Sequence, residues 1–260
     1  MIAGRLLAGC GQVLRPAPLW LSAAGAWLVL AMPDDIAGHM DLCSSALIWS
    51  VPAPESFAFF FSLVPPSTLL LSWVTMLVAM QLPLLAGTLH HVRRTSFASL
   101  RLALQTLVLL GYLAVWIAGG VVLTGLAVTL RLAAGADVWS PALAALGLAA
   151  LWQVAPARQR ALNRCHRFPA IAAFAPAAHL GALRLGLDRG VWCLASCGPL
   201  MLLALLMPSH PMGAMAVVAL WLWAERLEPP ARPAWAFRPP LRLLRALAWH
   251  IRTAADRRGT

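Results

Sequence analysis

The chain is predicted to fold as an all-α polytopic membrane bundle of about six transmembrane helices, with both termini cytoplasmic. Three observations carry that reading. The composition, 61% hydrophobic and 11% charged, is too apolar for one soluble domain. Apolar stretches near the roughly 20 residues that cross a bilayer recur at 17–32, 67–89, 102–130, 138–156, 190–207 and 211–227. The 20 basic residues are all arginines, and with both termini inside every one but Arg131 falls on the cytoplasmic side.

Taken in order, the first stretch follows Arg5 and Arg15 and reads as an uncleaved anchor. Its lipoprotein-like box Leu7-Ala8-Gly9-Cys10 is preceded by too short an apolar run after Arg5 for a signal peptide, which needs about 7 to 15 apolar residues. The following segment faces out with Asp34, Asp35, Asp41 and Glu55, and its apolar piece 57–64 reads as interfacial. The second stretch ends inside at Arg93 and Arg94, before Arg101. The third spans 29 residues, about 43 Å at ~1.5 Å per residue, so it is expected to tilt or to unwind near Gly119, Gly120 and Gly125. Arg131 and Asp137 follow outside. The fourth is followed by Arg158, Arg160, Arg164 and Arg167, then by Arg184 and Arg189. Between those groups the piece 168–183, interrupted by Pro169, Pro176 and His179, reads as interfacial or re-entrant. The fifth and sixth stretches form a short hairpin. Residues 1–228 thus make the transmembrane domain and 229–260 a basic cytoplasmic tail. In that tail Leu241, Leu244, Ala248 and Ile251 fall on one side of a helix suited to the anionic inner leaflet.

The net charge of +11 is distributed by topology rather than gathered on one stripe, which excludes nucleic acid as a partner and leaves the lipid bilayer. No zinc-protease, phosphate-loop or serine-elbow motif occurs, and acids are too few for a proton relay, so no enzymatic role is expected. Glu225 is the acid placed for partial burial, paired with Arg226 or a loop arginine.

Sulfur and imidazole groups sort into three layers. Outside lie His39, Met40 and Cys43, with Met207, His210, Met212 and Met215 around the last hairpin. Within the membrane, Met76 and Met80 stand one turn apart, and Pro83 releases the carbonyl of Ala79, which would leave an unpaired oxygen beside Met80. At the cytoplasmic mouth come His90 and His91, Cys165 and His166, then Cys193 and Cys197 on one helical face, where Pro199 releases the carbonyl of Ala195. Thiolate, thioether and imidazole together suit a soft transition metal, Cu(I) above all. Ordinary packing accounts for the same residues one by one, and His90, His91, Arg93 and Arg94 also fit a snorkelling anchor. A disulfide is disfavoured on the reducing side, and thiols at i and i+4 of one helix run parallel.

Four segments occur together in a recognisable order. They are Trp73-x-x-Met76-x-x-Ala79-Met80-x-x-Pro83, Gly111-Tyr112-Leu113-Ala114-Val115-Trp116, Trp152-Gln153-x-x-Pro156 leading to Asn163-Arg164-Cys165-His166-Arg167, and Gly186-Leu187-x-x-Gly190-x-x-Cys193-x-x-x-Cys197-x-x-Leu200-Met201. Over about Trp73 to Glu228 the chain resembles the DUF2182 family of metal-binding integral membrane proteins, some members of which are labelled copper chaperones. Relatives often carry methionine where Gln81 stands, cysteine at Ala161 and Ser196, and histidine at Arg189. The resemblance implies a bacterial inner-membrane protein that binds Cu(I) for delivery or transmembrane handling, with a copper-receiving protein as partner. A non-metal membrane scaffold and a thiol oxidoreductase using Cys193 and Cys197 are the alternative readings.

Overall fold

Alanine and leucine, strong helix formers, fill the apolar stretches, and the structure builds helices on them. The computed structural model describes residues 17–32, 66–135, 137, 139–172, 174, 176–207 and 211–242. Among these the elements are α1 (Ala17–Leu30), α2 (Pro66–Met80), a 3-10 turn (Leu82–Leu85), α3 (Ala86–Thr95), α4 (Arg101–Ala134), α5 (Ser140–Val154), α6 (Pro156–Cys165), α7 (Ala177–Leu206) and α8 (Pro211–Arg226). The fold is all-helical, and the described residues contain no strand.

Two helices are long and apolar enough to cross a bilayer alone, Arg101–Arg131 within α4 and Ala177–Leu206. Two bent pairs, α2 with α3 at 54° and α5 with α6 at 70°, bring the number up to four where each pair makes one broken span. α1 and α8, at 14 and 16 residues, are shorter than a crossing helix. Both bends lie at a proline. Pro83 cannot donate to the carbonyl one turn back, and Pro156 holds Ala155 extended, at φ −71° and ψ 137°.

One alternative for the long third stretch falls away, one segment is reassigned, and a third expectation lies outside the described residues. α4 runs unbroken through its glycines, because Gly119 and Gly120 admit neighbours instead of unwinding the helix. A Cβ at Gly119 would lie 2.6 Å from a methyl of Leu194, and one at Gly120 would strike the indole of Trp73. The piece 168–183, expected as one interfacial or re-entrant segment, is divided: from Ala177 on it forms the start of α7, directly after Pro176, where a proline is compatible with a helix start. The tail helix expected over 239–258 lies outside the described residues beyond Arg242.

α4 and α7 form the central pair, and small residues let their backbones touch. A Cβ on Gly186 would run into the main chain of Val108, one on Gly111 would lie 2.7 Å from the carbonyl oxygen of Leu183, and one on Gly190 would lie 2.7 Å from the Cβ of Val115. Around this clamp the core gathers Trp73, Met76, Leu77 and Met80 of α2, Trp116 of α4, Met201 of α7 and Met215 of α8.

Candidate metal centre

The break after α2 places a polar residue where a membrane helix would carry an apolar one. Gln81 is wholly buried, and its amide faces α7. Its Nε2 lies 3.9 Å from Cys197 Sγ and 3.8 Å from Met201 Sδ. Its Oε1 accepts from Cys193 Sγ at 3.4 Å and lies 3.3 Å from the Tyr112 hydroxyl. Cys193, Cys197 and Met201 recur every fourth residue on α7, so one helical face turns two thiols and a thioether to the same amide. The close approach of α4 brings Tyr112 Oη within 3.3 Å of Cys193 Sγ, and Arg226 at the end of α8 donates from Nη2 to that sulfur at 3.2 Å. Three helices and the break after α2 therefore meet at Cys193.

Cys165 closes α6 beside this group. It shares with Tyr112, Cys193, Arg189 and Arg226 a void of about 10 Å³, the space of one water or a bare ion. Leu84, Thr88, Cys165 and Arg226 also line an adjoining apolar groove of about 450 Å³, walled by Trp20, Phe168 and Trp223. The void thus lies just behind a wider opening. Arg189 donates to the carbonyl oxygens of Cys165 and Arg164 and stacks over Phe168, its guanidinium carbon 4.9 Å from the ring centre. Glu225 forms a buried ion pair with Arg158, a residue of helix α6 rather than the expected Arg226 or a loop arginine, and so fixes the end of α8 next to Arg226.

The carbonyls released by proline are not left bare. Ala79 O accepts from Trp27 Nε1 of α1 at 3.1 Å, and Ala195 O accepts from Trp152 Nε1 of α5 at 2.9 Å. Trp223 of α8 caps Met80 O at 2.8 Å. The unpaired oxygen expected beside Met80 is therefore filled by an indole, as desolvation of a lone acceptor demands. Met80 and Met76 are buried in the core, and α2 reaches the thiols through Gln81, the residue after Met80.

The expected cytoplasmic layer divides. Cys165, Cys193 and Cys197 come to the void and the amide, and all three thiols are free. His166 borders the groove, with Nδ1 2.9 Å from Leu162 O and Nε2 3.3 Å from Arg226 O, so it staples α6 to α8. His91 holds Pro169 O at 3.1 Å, with its ring against Phe168. His90 lines a different groove with Arg93, Arg94 and Arg101. Among the described residues no three histidine, cysteine or carboxylate side chains gather as a metal cage. The donor set offered is thiol and thioether, which fits a soft ion of low coordination number. Of the outer layer, His39, Met40, Cys43 and His210 lie outside the described residues, Met212 packs half-buried against the core, and Met215 is buried.

Sequence reasoning missed Gln81, Tyr112, Met201 and Arg226 as members of the site. A signal existed for Met201, four residues after Cys197 on the same face. The four positions at which the resemblance implies other residues, Gln81, Ala161, Arg189 and Ser196, are all buried.

Residues 70–248 match the sequence model of a family described as PpoB2, copper chaperone. No curated protein and no solved structure matches the chain.

Proposed function

The chain belongs to the PpoB2 copper-chaperone family, and from that premise we propose that it is a membrane-embedded carrier that holds Cu(I) as cargo between Cys193 and Cys197. The observation that carries this reading is the convergence of Cys193, Cys197 and Met201 on the Gln81 amide in a buried setting. Soft sulfur donors favour Cu(I), and thiols lose their protons as the ion binds. As Cys193 loses its proton, Tyr112 and Arg226 are already positioned to donate to its sulfur. Met201 adds a thioether, and Cys165 meets the ion at the approach, where the void adjoins the groove and His166.

Arg226 also supports a monovalent cargo. A fixed positive charge ~4 Å from a cation costs about 4 kcal/mol per unit of charge at an effective dielectric of ~20, so a divalent ion bears twice the penalty of Cu(I).

In the cell the arginine distribution orients the groove toward the cytoplasm, with α1 and α8 joining the four longer crossings to make six and both termini inside, and the family resemblance implies a bacterial inner membrane. Met76 and Met80 of α2, which ends just before Gln81, then give thioether stops deeper in the membrane. A copper-receiving protein docks at the Cys165 and His166 end. No bond of the cargo is made or broken beyond ligand exchange, so the role is carriage and not catalysis. Metal analysis of the full chain purified in detergent tests the site: near-stoichiometric copper is expected, and the Cys193→Ser, Cys197→Ser variant is expected to lose most of it. Unchanged copper content in that variant defeats the assignment.

A further inference from the structure

His90, Arg93, Arg94 and Arg101 have no part in the sulfur site, yet they line one groove of about 840 Å³. α3 ends at Thr95 and α4 starts at Arg101, so the basic ends of two helices meet at one turn. Followed away from that turn, both walls lose their charge and gain apolar residues, with Gln105 and Thr106 as uncharged polar groups midway along α4. The wall on α3 runs from Arg94 and Arg93 back to Leu89 and Ala86, and the wall on α4 runs from Arg101 to Leu102 and Leu109. Eight residues of helix cover about 12 Å. Leu19 of α1 completes the apolar side, and the lining includes no aspartate or glutamate. Gln105 braces the floor, donating from Nε2 to Leu89 O at 3.2 Å. The groove shares no lining residue with the void at Cys193.

We propose that this groove is a binding site for one anionic glycerophospholipid, with its phosphate among Arg93, Arg94 and Arg101 and an acyl chain along Leu89, Leu102 and Leu109. A topology anchor needs only positive charge on the right side of the membrane; it does not need three arginines and a histidine on a common cavity that grades into an apolar wall. That gradient has the shape of an amphiphile, and basic pockets between membrane helices on the cytoplasmic side suit anionic headgroups. A free phosphate would use only the basic end. The pair His90 and His91 is thereby divided in function: adjacent residues on a helix point about 100° apart, so one faces the lipid and the other holds Pro169.

The test uses the full chain in detergent, titrated with phosphatidylglycerol, phosphatidylcholine or inorganic phosphate and followed by native mass spectrometry and thermal unfolding. Phosphatidylglycerol is expected to bind with 1:1 stoichiometry and about tenfold or more tighter than phosphatidylcholine, with millimolar phosphate failing to displace it. Arg93→Gln with Arg94→Gln is expected to reduce that preference to about threefold or less, whereas Arg93→Lys with Arg94→Lys keeps the charge and keeps the preference. Equal binding of the two lipids, an unaltered preference in the glutamine variant, or displacement by phosphate overturns the proposal. If the glutamine variant does not fold, the lysine variant decides: loss of preference there contradicts an electrostatic headgroup site.

Discussion

Two prolines in this molecule free a backbone carbonyl, and the two helices respond differently. At Pro83 the chain breaks, turning 54° between α2 and α3, and throws Gln81 toward the thiols. At Pro199 α7 continues as one helix from Ala177 to Leu206, carrying Cys193, Cys197 and Met201 as a straight face. Both released carbonyls are satisfied alike, Ala79 O by Trp27 and Ala195 O by Trp152, so hydrogen bonding does not decide the outcome. The neighbours do. α7 is clamped to α4 at Gly111, Gly186 and Gly190, where backbones nearly touch, while Pro83 opens onto a 3-10 turn. The site is thus a rigid sulfur rail facing a bent arm, and the clamp that keeps the rail straight also delivers Tyr112 to Cys193.

Breaking the clamp is expected to have the largest effect. Gly186→Leu forces a side chain into the main chain of Val108, and such overpacking costs about 3 kcal/mol or more. The full chain is expected to lose thermal stability and copper together, as read by a melting curve and metal content. A variant that keeps both would show that the rail does not depend on close packing.

Changing the arm is expected to have the next largest effect, in the opposite direction. Gln81→Met places a thioether beside Cys197 and Met201. Competition with a Cu(I) chelator is expected to show affinity raised by about tenfold, or ~1.4 kcal/mol. Weaker binding would mean that the amide serves the cargo as it stands. The smallest effect belongs to the far end of the rail: Met201→Leu is expected to weaken Cu(I) by about threefold while shifting stability by less than ~1.5 kcal/mol, since the two side chains exchange at little cost. An unchanged affinity would reduce the donor set to the thiols.

The rail was legible in the sequence and the arm was not. Spacing alone put Cys193 and Cys197 on one face, and the rule that proline lacks a donor identified Ala79 and Ala195 as the carbonyls in need of partners. Which groups would supply them was invisible, because Trp27 and Ala79 stand 52 residues apart. Gln81 entered the sequence reading only as a residue where the family resemblance implies methionine, and Arg226 only as a partner for Glu225, although each touches Cys193. Histidine misled in the other direction: residue type promised ligands, but His91 and His166 spend ring nitrogens on backbone carbonyls. The number of crossings was blurred for a related reason. Hydropathy counts apolar length without seeing bends, so α2 and the start of α3, turned by 54°, read as one uninterrupted stretch at 67–89.

The most direct test of the sulfur rail is X-ray absorption at the copper edge on the full chain loaded with Cu(I). The account predicts a first shell of two or three sulfur scatterers that collapses in Cys193→Ser, Cys197→Ser. A shell of nitrogen or oxygen, or a sulfur shell unaltered in that variant, would contradict it.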